Sequence, residues 1–236
     1  MVAGFAQSPP NQTLVNFAAS RLARGGARLL DIGCGAGRNA IPLVRQGWTV
    51  DGIDLSLEML RAAQQRLMVE APGRRLGLAL APMEYLPIAG ASMDFVVAHG
   101  IWNLARTTAQ FRAAVREAAR VARPGASLFV FTFSRATLPE SDLPVAGEEF
   151  VFTRFSGSPQ IFLTIEQLLS ELAAAGFSHD PAVPLVEHNR RPPSKIYVGG
   201  PPVIIEGTFT YTGGSDGSPP RGVAVRGVGD PGTLEP

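Results

Sequence analysis

The 236-residue chain has one cysteine, three histidines, no surplus of either charge and no long apolar run, and each shortage removes a class of function. With Cys34 alone, an intramolecular disulfide is impossible. His99, His179 and His188 lack the spacing of metal ligands, so no metal is expected. Twenty-one Lys and Arg residues stand against 20 Asp and Glu, which leaves no broad field to attract nucleic acid or an anionic membrane. The partner expected is a small molecule, with neither nucleic acid nor membrane involved. The run Arg190, Arg191 and Lys195 sits beside Pro192 and Pro193 and reads as a solvated loop. The first twelve residues, MVAGFAQSPPNQ, lack the basic flank and apolar core of a signal peptide, and no later stretch of about 18 residues is free of charge. A cytoplasmic location is therefore expected. Oligomeric state has no signature in the sequence.

What is present is enough apolar residue, 45%, for one α/β domain. Short runs rich in Val, Ile, Leu and Phe alternate with segments of helical period, the pattern of a parallel sheet covered on both faces. Leu14, Phe17, Ala18 and Leu22 mark a first helix that Gly25 and Gly26 stop. ARLLDI is a strand, Asn39 to Gln46 a short helix closed by Gly47, and WTVDGI a second strand ending on Asp54. Ser56 is the expected cap of the next helix, on which Leu60, Ala63 and Leu67 share one face. RLGLAL and DFVVA read as the third and fourth strands. A helix carrying Phe111, Ala114, Val115, Ala118 and Ala122 follows, then a fifth strand from Ser127. Residues 135–159 are polar and rich in Pro and Gly, a candidate lid or substrate loop. Thr164 with Gln167 forms a capping-box pattern ahead of Ile165, Leu168, Leu169 and Leu172. Two last strands are expected near 182–187 and 203–211. Residues 1–212 are thus assigned to one domain and 213–236, dominated by Gly and Pro, to a tail without regular structure.

Between the first strand and its helix, Gly33, Gly35 and Gly37 form G-x-G-x-G, with Asp31 just upstream. Glycines in such a turn let the backbone approach a ligand. A dinucleotide pyrophosphate prefers G-x-G-x-x-G, and position 38 is Arg. S-adenosylmethionine (SAM) has no phosphate, and its ammonium would give Asp31 a cationic partner. Asp54, at the end of the second strand, stands where a carboxylate accepts from both ribose hydroxyls. The alternative for Asp54 is a helix-capping acid.

LLDIGCGAGRNAIPLVRQGWTVDGIDLSLEML resembles the first two motifs of the class I SAM-dependent methyltransferases, and PMEYLPIAGASMDFVVAHGIWNL and RVARPGASLFVFTF resemble later ones. The likeness runs from about Leu14 to Tyr211 and is nearest to the small-molecule branch. It implies a Rossmann-like three-layer α/β sandwich, with a seven-stranded, mostly parallel sheet whose last strand is antiparallel. It also implies SAM as cofactor, lying over the C-terminal ends of the first strands. By position, Asp31, Gly33, Cys34, Gly35 and Gly37 would line the methionine and ribose end, Asp54 would hold the ribose, and Leu55 and Met59 would pack near adenine. Many relatives carry an acid at the end of the third strand where this chain has Pro82. Adenine recognition would pass to the Met83 N–H and Glu84.

SAM presents an electrophilic methyl, so alignment and exclusion of water carry most of the demand. His99, after the fourth strand, is assigned to the cofactor site. It is also the best general-base candidate in the chain, but no catalytic residue is assigned. Trp102, Phe150, Phe152 and Phe155 either line an apolar pocket or pack as core and lid; His188 and Asn189 could face a substrate. Cys34 reads as a small buried side chain. Two alternatives to methyl transfer to a small acceptor stand beside it: an NAD(P)-binding oxidoreductase, and a SAM-binding protein without catalysis.

Overall fold

The computed structural model describes residues 8–180, 183–190 and 200–213. The tail assigned from 213 onward, apart from Gly213, lies outside them, as do Arg191 and Lys195 of the basic run.

The apolar runs form the strands β1 (Arg28–Ile32), β2 (Thr49–Asp54), β3 (Leu76–Leu80), β4 (Met93–His99) and β5 (Ala122–Phe133), and two later ones, β8 (Phe177–His179) and β10 (Ile204–Tyr211), continue the sheet. The order is β3-β2-β1-β4-β5-β10-β8, with a short β9 (Val186–His188) also paired to β10, so the described sheet has eight strands. Strands β1 to β5 are mutually parallel, and β10 runs antiparallel to β5 and β8. The antiparallel late strand is as the resemblance implied. The eighth strand is the addition. The late segment also differs in detail from the sequence expectation of a strand near 182–187. Gly176, at φ 88°, turns the chain directly into β8, which is only three residues long and too short to show alternation. Strand β5 begins at Ala122, ahead of Ser127, because Ala122 pairs with Met93 before a register shift. The β6 (Val151–Phe152) and β7 (Gln160–Ile161) strands form a separate hairpin within the long 135–159 segment and its exit.

Helices α1 (Gln12–Leu22), α2 (Ala40–Gln46) and α3 (Leu57–Glu70) cover one face, and α4 (Thr108–Val121) and α5 (Ile165–Ala174) the other. Their ends follow the expected chemistry. Ser56 accepts from the Met59 N–H, and Thr164 and Gln167 close a reciprocal capping box. On the first face Leu14, Phe17, Leu43 and Val44 pack on Val50, Phe95, Val97 and Phe129. On the second, Phe111, Val115, Leu168 and Leu172 pack on Leu30, Val96, Leu128 and Phe209. The central strands β1, β4 and β5 are therefore apolar on both sides, which is why they read as continuous runs rather than alternations.

The order reverses between β1 and β4. In open α/β sheets the crevice at that reversal, beyond the strands' C-terminal ends, is where ligands bind.

Candidate cofactor site

Strand β1 delivers the glycine turn into this crevice. Gly33 and Gly35 adopt φ of 71° and 53°, a left-handed backbone that side chains disfavour. A Cβ on Gly33 would come within 2.7 Å of Ile101, so the turn and the segment after β4 fit only without one. A Cβ on Gly35 would meet nothing within 4 Å. That residue borders open space. Its N–H donates to Asp54 Oδ2 at 2.9 Å, while Asp54 Oδ1 accepts from the Ser56 N–H at 2.8 Å. Asp54 thus ties the turn to the end of β2 and holds the Ser56 N–H at the start of α3, a bond of the helix-capping kind. Gly37, at φ 77°, lies against Ile41 and passes the chain into α2.

Asp31 is 2% exposed, and no hydrogen bond reaches its carboxyl group among the described residues. Burial raises its pKa from 3.8 to about 7, against a lowering pull from Arg38 and with a further push from Asp54. A buried acid with a depleted hydrogen-bond shell is suited to a cationic ligand. Cys34 is buried beneath the turn, and its thiol is held well above the ordinary range by burial and by the charges of Asp31 and Asp54. It stays a thiol and packs.

Past β2, Leu55 is 68% exposed and Met59 half-buried on the first turn of α3. Past β3, Met83 is buried in the core. Glu84 Oε1 accepts from Gln110 Nε2 at 2.9 Å, but Oε2 is buried with no partner among the described residues. An unpaired buried acceptor costs roughly 1–3 kcal/mol, and a ligand N–H would relieve it. Among the described residues, Glu84 thus keeps one unpaired oxygen two positions after Pro82.

His99 is the last residue of β4 rather than the residue after it. Its ring stacks on Phe131 with centroids 4.1 Å apart. Burial, then the charge of Arg38, lower its pKa to about 4, so the ring is neutral at physiological pH and a weak proton acceptor.

Trp102 and Phe150 belong to the core of the second face. Both are fully buried around Phe111, with ring centroids 6.0 and 5.4 Å from it. Phe152 and Phe155 pack with Phe162 and Leu138 in a small cluster beneath the 135–159 segment. The packing alternative holds for all four. Three polar residues at this end escaped the sequence reasoning. Arg38 lies beside His99; Asn11 caps α1 and donates to Glu206 Oε2 at 2.6 Å; Glu206, on β10, is 5% exposed. Nothing in local periodicity marks them, because their contacts span 61 to 195 positions of chain. His188 reaches the same group, 3.3 Å from Glu206 Oε1, whereas Asn189 turns away to the Pro202 carbonyl.

Residues 29–125 match a family described as a methyltransferase domain. The chain is 39% identical over 118 residues to the ubiquinone/menaquinone biosynthesis C-methyltransferase of Syntrophotalea carbinolica, covering 49% of this chain and 47% of that protein. It is 31% identical over 154 residues to the ubiquinone biosynthesis O-methyltransferase of a Methylobacterium species, covering 64% and 59%. The chain thus spans about half to three-fifths of the length of these curated relatives. A SAM-dependent methyltransferase structure from Methanosarcina mazei superposes with a TM-score of 0.62 at 22% identity, over 78% of this chain and 92% of that one, a likeness of fold. The glycine turn at the sheet's reversal and the acids on the first two strands, Asp31 and Asp54, all lie within residues 29–125, the stretch that is similar to the methyltransferase domain.

Proposed function

We propose that this chain transfers a methyl group from SAM to a small-molecule acceptor by in-line displacement, acting in the cytoplasm through a domain spanning residues 1–212. The observation that carries it is the Gly33–Gly37 turn, tied through Gly35 to Asp54 and backed by the buried Asp31. No described helix is long and apolar enough to cross a membrane.

When bound, SAM supplies a methyl made electrophilic by its sulfonium. Asp31 and the turn would hold its ammonium end, Cys34 packing beneath. Asp54 keeps lone pairs beyond its two backbone bonds and would accept from the ribose hydroxyls. Leu55 and Met59 would flank the adenine, with Glu84 Oε2 and the Met83 N–H meeting its edge. The orphaned Glu84 oxygen and the open space at Gly35 both fit such a ligand. His99, neutral and held against Phe131, supports cofactor or acceptor contact over proton transfer. Both curated relatives named above are quinone-biosynthesis methyltransferases, which supports an acceptor of cyclic, apolar character.

Calorimetry with SAM and with NADH tests this directly. SAM binding without NADH binding is expected; the reverse would replace the methyltransferase with an oxidoreductase. Asp54→Ala should weaken SAM by about 1–3 kcal/mol through the lost charged hydrogen bonds. Incubation with methyl-labelled SAM and cell extract should yield a labelled small molecule, and its mass identifies the acceptor; no labelled product would point to SAM binding without catalysis.

A further inference from the structure

The ring of His99 stands between two hydrogen-bond donors and can accept from only one. Asn11 Oδ1 accepts from the Leu14 backbone N–H at 3.0 Å, and because a backbone N–H only donates, the amide cannot be flipped. Its Nδ2 therefore carries the two donors. One goes to Glu206 Oε2, and the group lies 3.2 Å from His99 Nε2. Nε2 must then be the ring's lone pair. Burial and Arg38 keep the ring neutral, so its single proton sits on Nδ1. Yet Arg38 Nη2 lies 2.9 Å from that same Nδ1. Two N–H groups converge there and neither can accept from the other.

A ligand oxygen resolves the conflict. It would take the Nδ1–H and draw the Arg38 guanidinium into a charge-assisted bond, the stronger kind. The parts are held for this. Phe131 fixes the plane of the ring, Asn11 and Glu206 fix its tautomer from behind, and Asn39 Oδ1 accepts the Asn11 N–H at 3.1 Å, tying that cap to the glycine turn. We infer that Arg38 and His99 Nδ1 form a subsite for a negatively charged ligand oxygen, with Asn11 and Glu206 as positioning residues. Placed where β4 ends at the sheet's reversal, it would receive a carboxylate or phenolate oxygen of the acceptor, or the carboxylate of the cofactor. This deepens the methyltransferase proposal and rests on it for the identity of the two sources.

Nitrogen-15 NMR of the ligand-free protein tests the premise: His99 should carry its proton on Nδ1, and a proton on Nε2 would overturn the subsite. Calorimetry then compares wild type with Arg38→Met and His99→Phe, each first shown to melt as wild type does. If the oxygen belongs to the cofactor, both variants lose roughly tenfold or more in SAM affinity and neither changes the binding of decarboxylated SAM. If it belongs to the acceptor, SAM affinity is unchanged, and benzoate added to the protein loaded with S-adenosylhomocysteine moves the Nδ1 resonance in wild type but not in Arg38→Met. Unchanged SAM affinity together with no response to benzoate overturns the inference. SAM failing to bind wild type would instead sink the cofactor assignment, and benzoate added without cofactor would still decide the anion subsite.

Discussion

Asp31 carries the sharpest tension at the scale of single residues. Its folded pKa of about 7 lies above the 3.8 of an unperturbed carboxyl, so between those values the folded chain binds a proton that the unfolded chain does not. Its contribution to stability is thus largest at low pH and falls as pH rises toward 7. Asp31→Asn should accordingly stabilise the ligand-free protein at pH 8, by roughly 1 to 4 kcal/mol in chemical denaturation. The same variant should bind SAM at least tenfold more weakly, since the ammonium loses its counter-charge. For wild type, binding a cation must expel that proton, so SAM affinity measured by calorimetry should rise from pH 6 to pH 8. An affinity flat across that range would mean Asp31 does not face the ligand's charge. His99 works in the opposite sense: its pKa of about 4, below the usual 6.5, favours the folded state above 6.5 and loses that contribution as pH falls through 4.

Among elements, the turn between β1 and α2 and the start of α3 are one mechanical unit, because Asp54 holds both. Gly33→Ala would force a methyl group to within 2.7 Å of Ile101 in a left-handed backbone. It should cost about 1–3 kcal/mol in stability, read by denaturation, and weaken SAM as the turn shifts. Ser56→Ala removes only the cap bond to Met59 and should cost about 1 kcal/mol with little change in SAM affinity. Equal losses of affinity from both would show that the glycine turn has no special role. Helices, caps and the central strands were legible because their signals are local: Ser56, Gly47 and the Thr164–Gln167 pair act on groups within four residues. Strand β8 was not, since its three residues owe their pairing to Phe209, Thr210 and Tyr211, far along the chain.

Over the whole molecule, the core on the second face of the sheet far outweighs the small cluster of the 135–159 segment, a third group beside the cores of the two faces. Phe111 joins Trp102 and Phe150 in the larger, while Phe155 belongs to the small cluster under the 135–159 segment. Phe111→Ala should cost about 3–5 kcal/mol, and Phe155→Ala, half-buried at the edge, distinctly less. Denaturant midpoints compare them, and equal losses would mean the segment is part of the main core. The α/β class, the mostly parallel sheet, the glycine turn and the acids at 31 and 54 were determined by the sequence alone, because period, turn chemistry and strand ends are written in neighbouring residues. Only the tertiary structure decided that Trp102 and Phe150 are core, that Glu84 keeps an unpaired oxygen, and that Asn11, Arg38, His99 and Glu206 share one corner. Those facts depend on which distant side chains the packed sheet brings within hydrogen-bond reach, and no local pattern encodes a meeting across 195 positions.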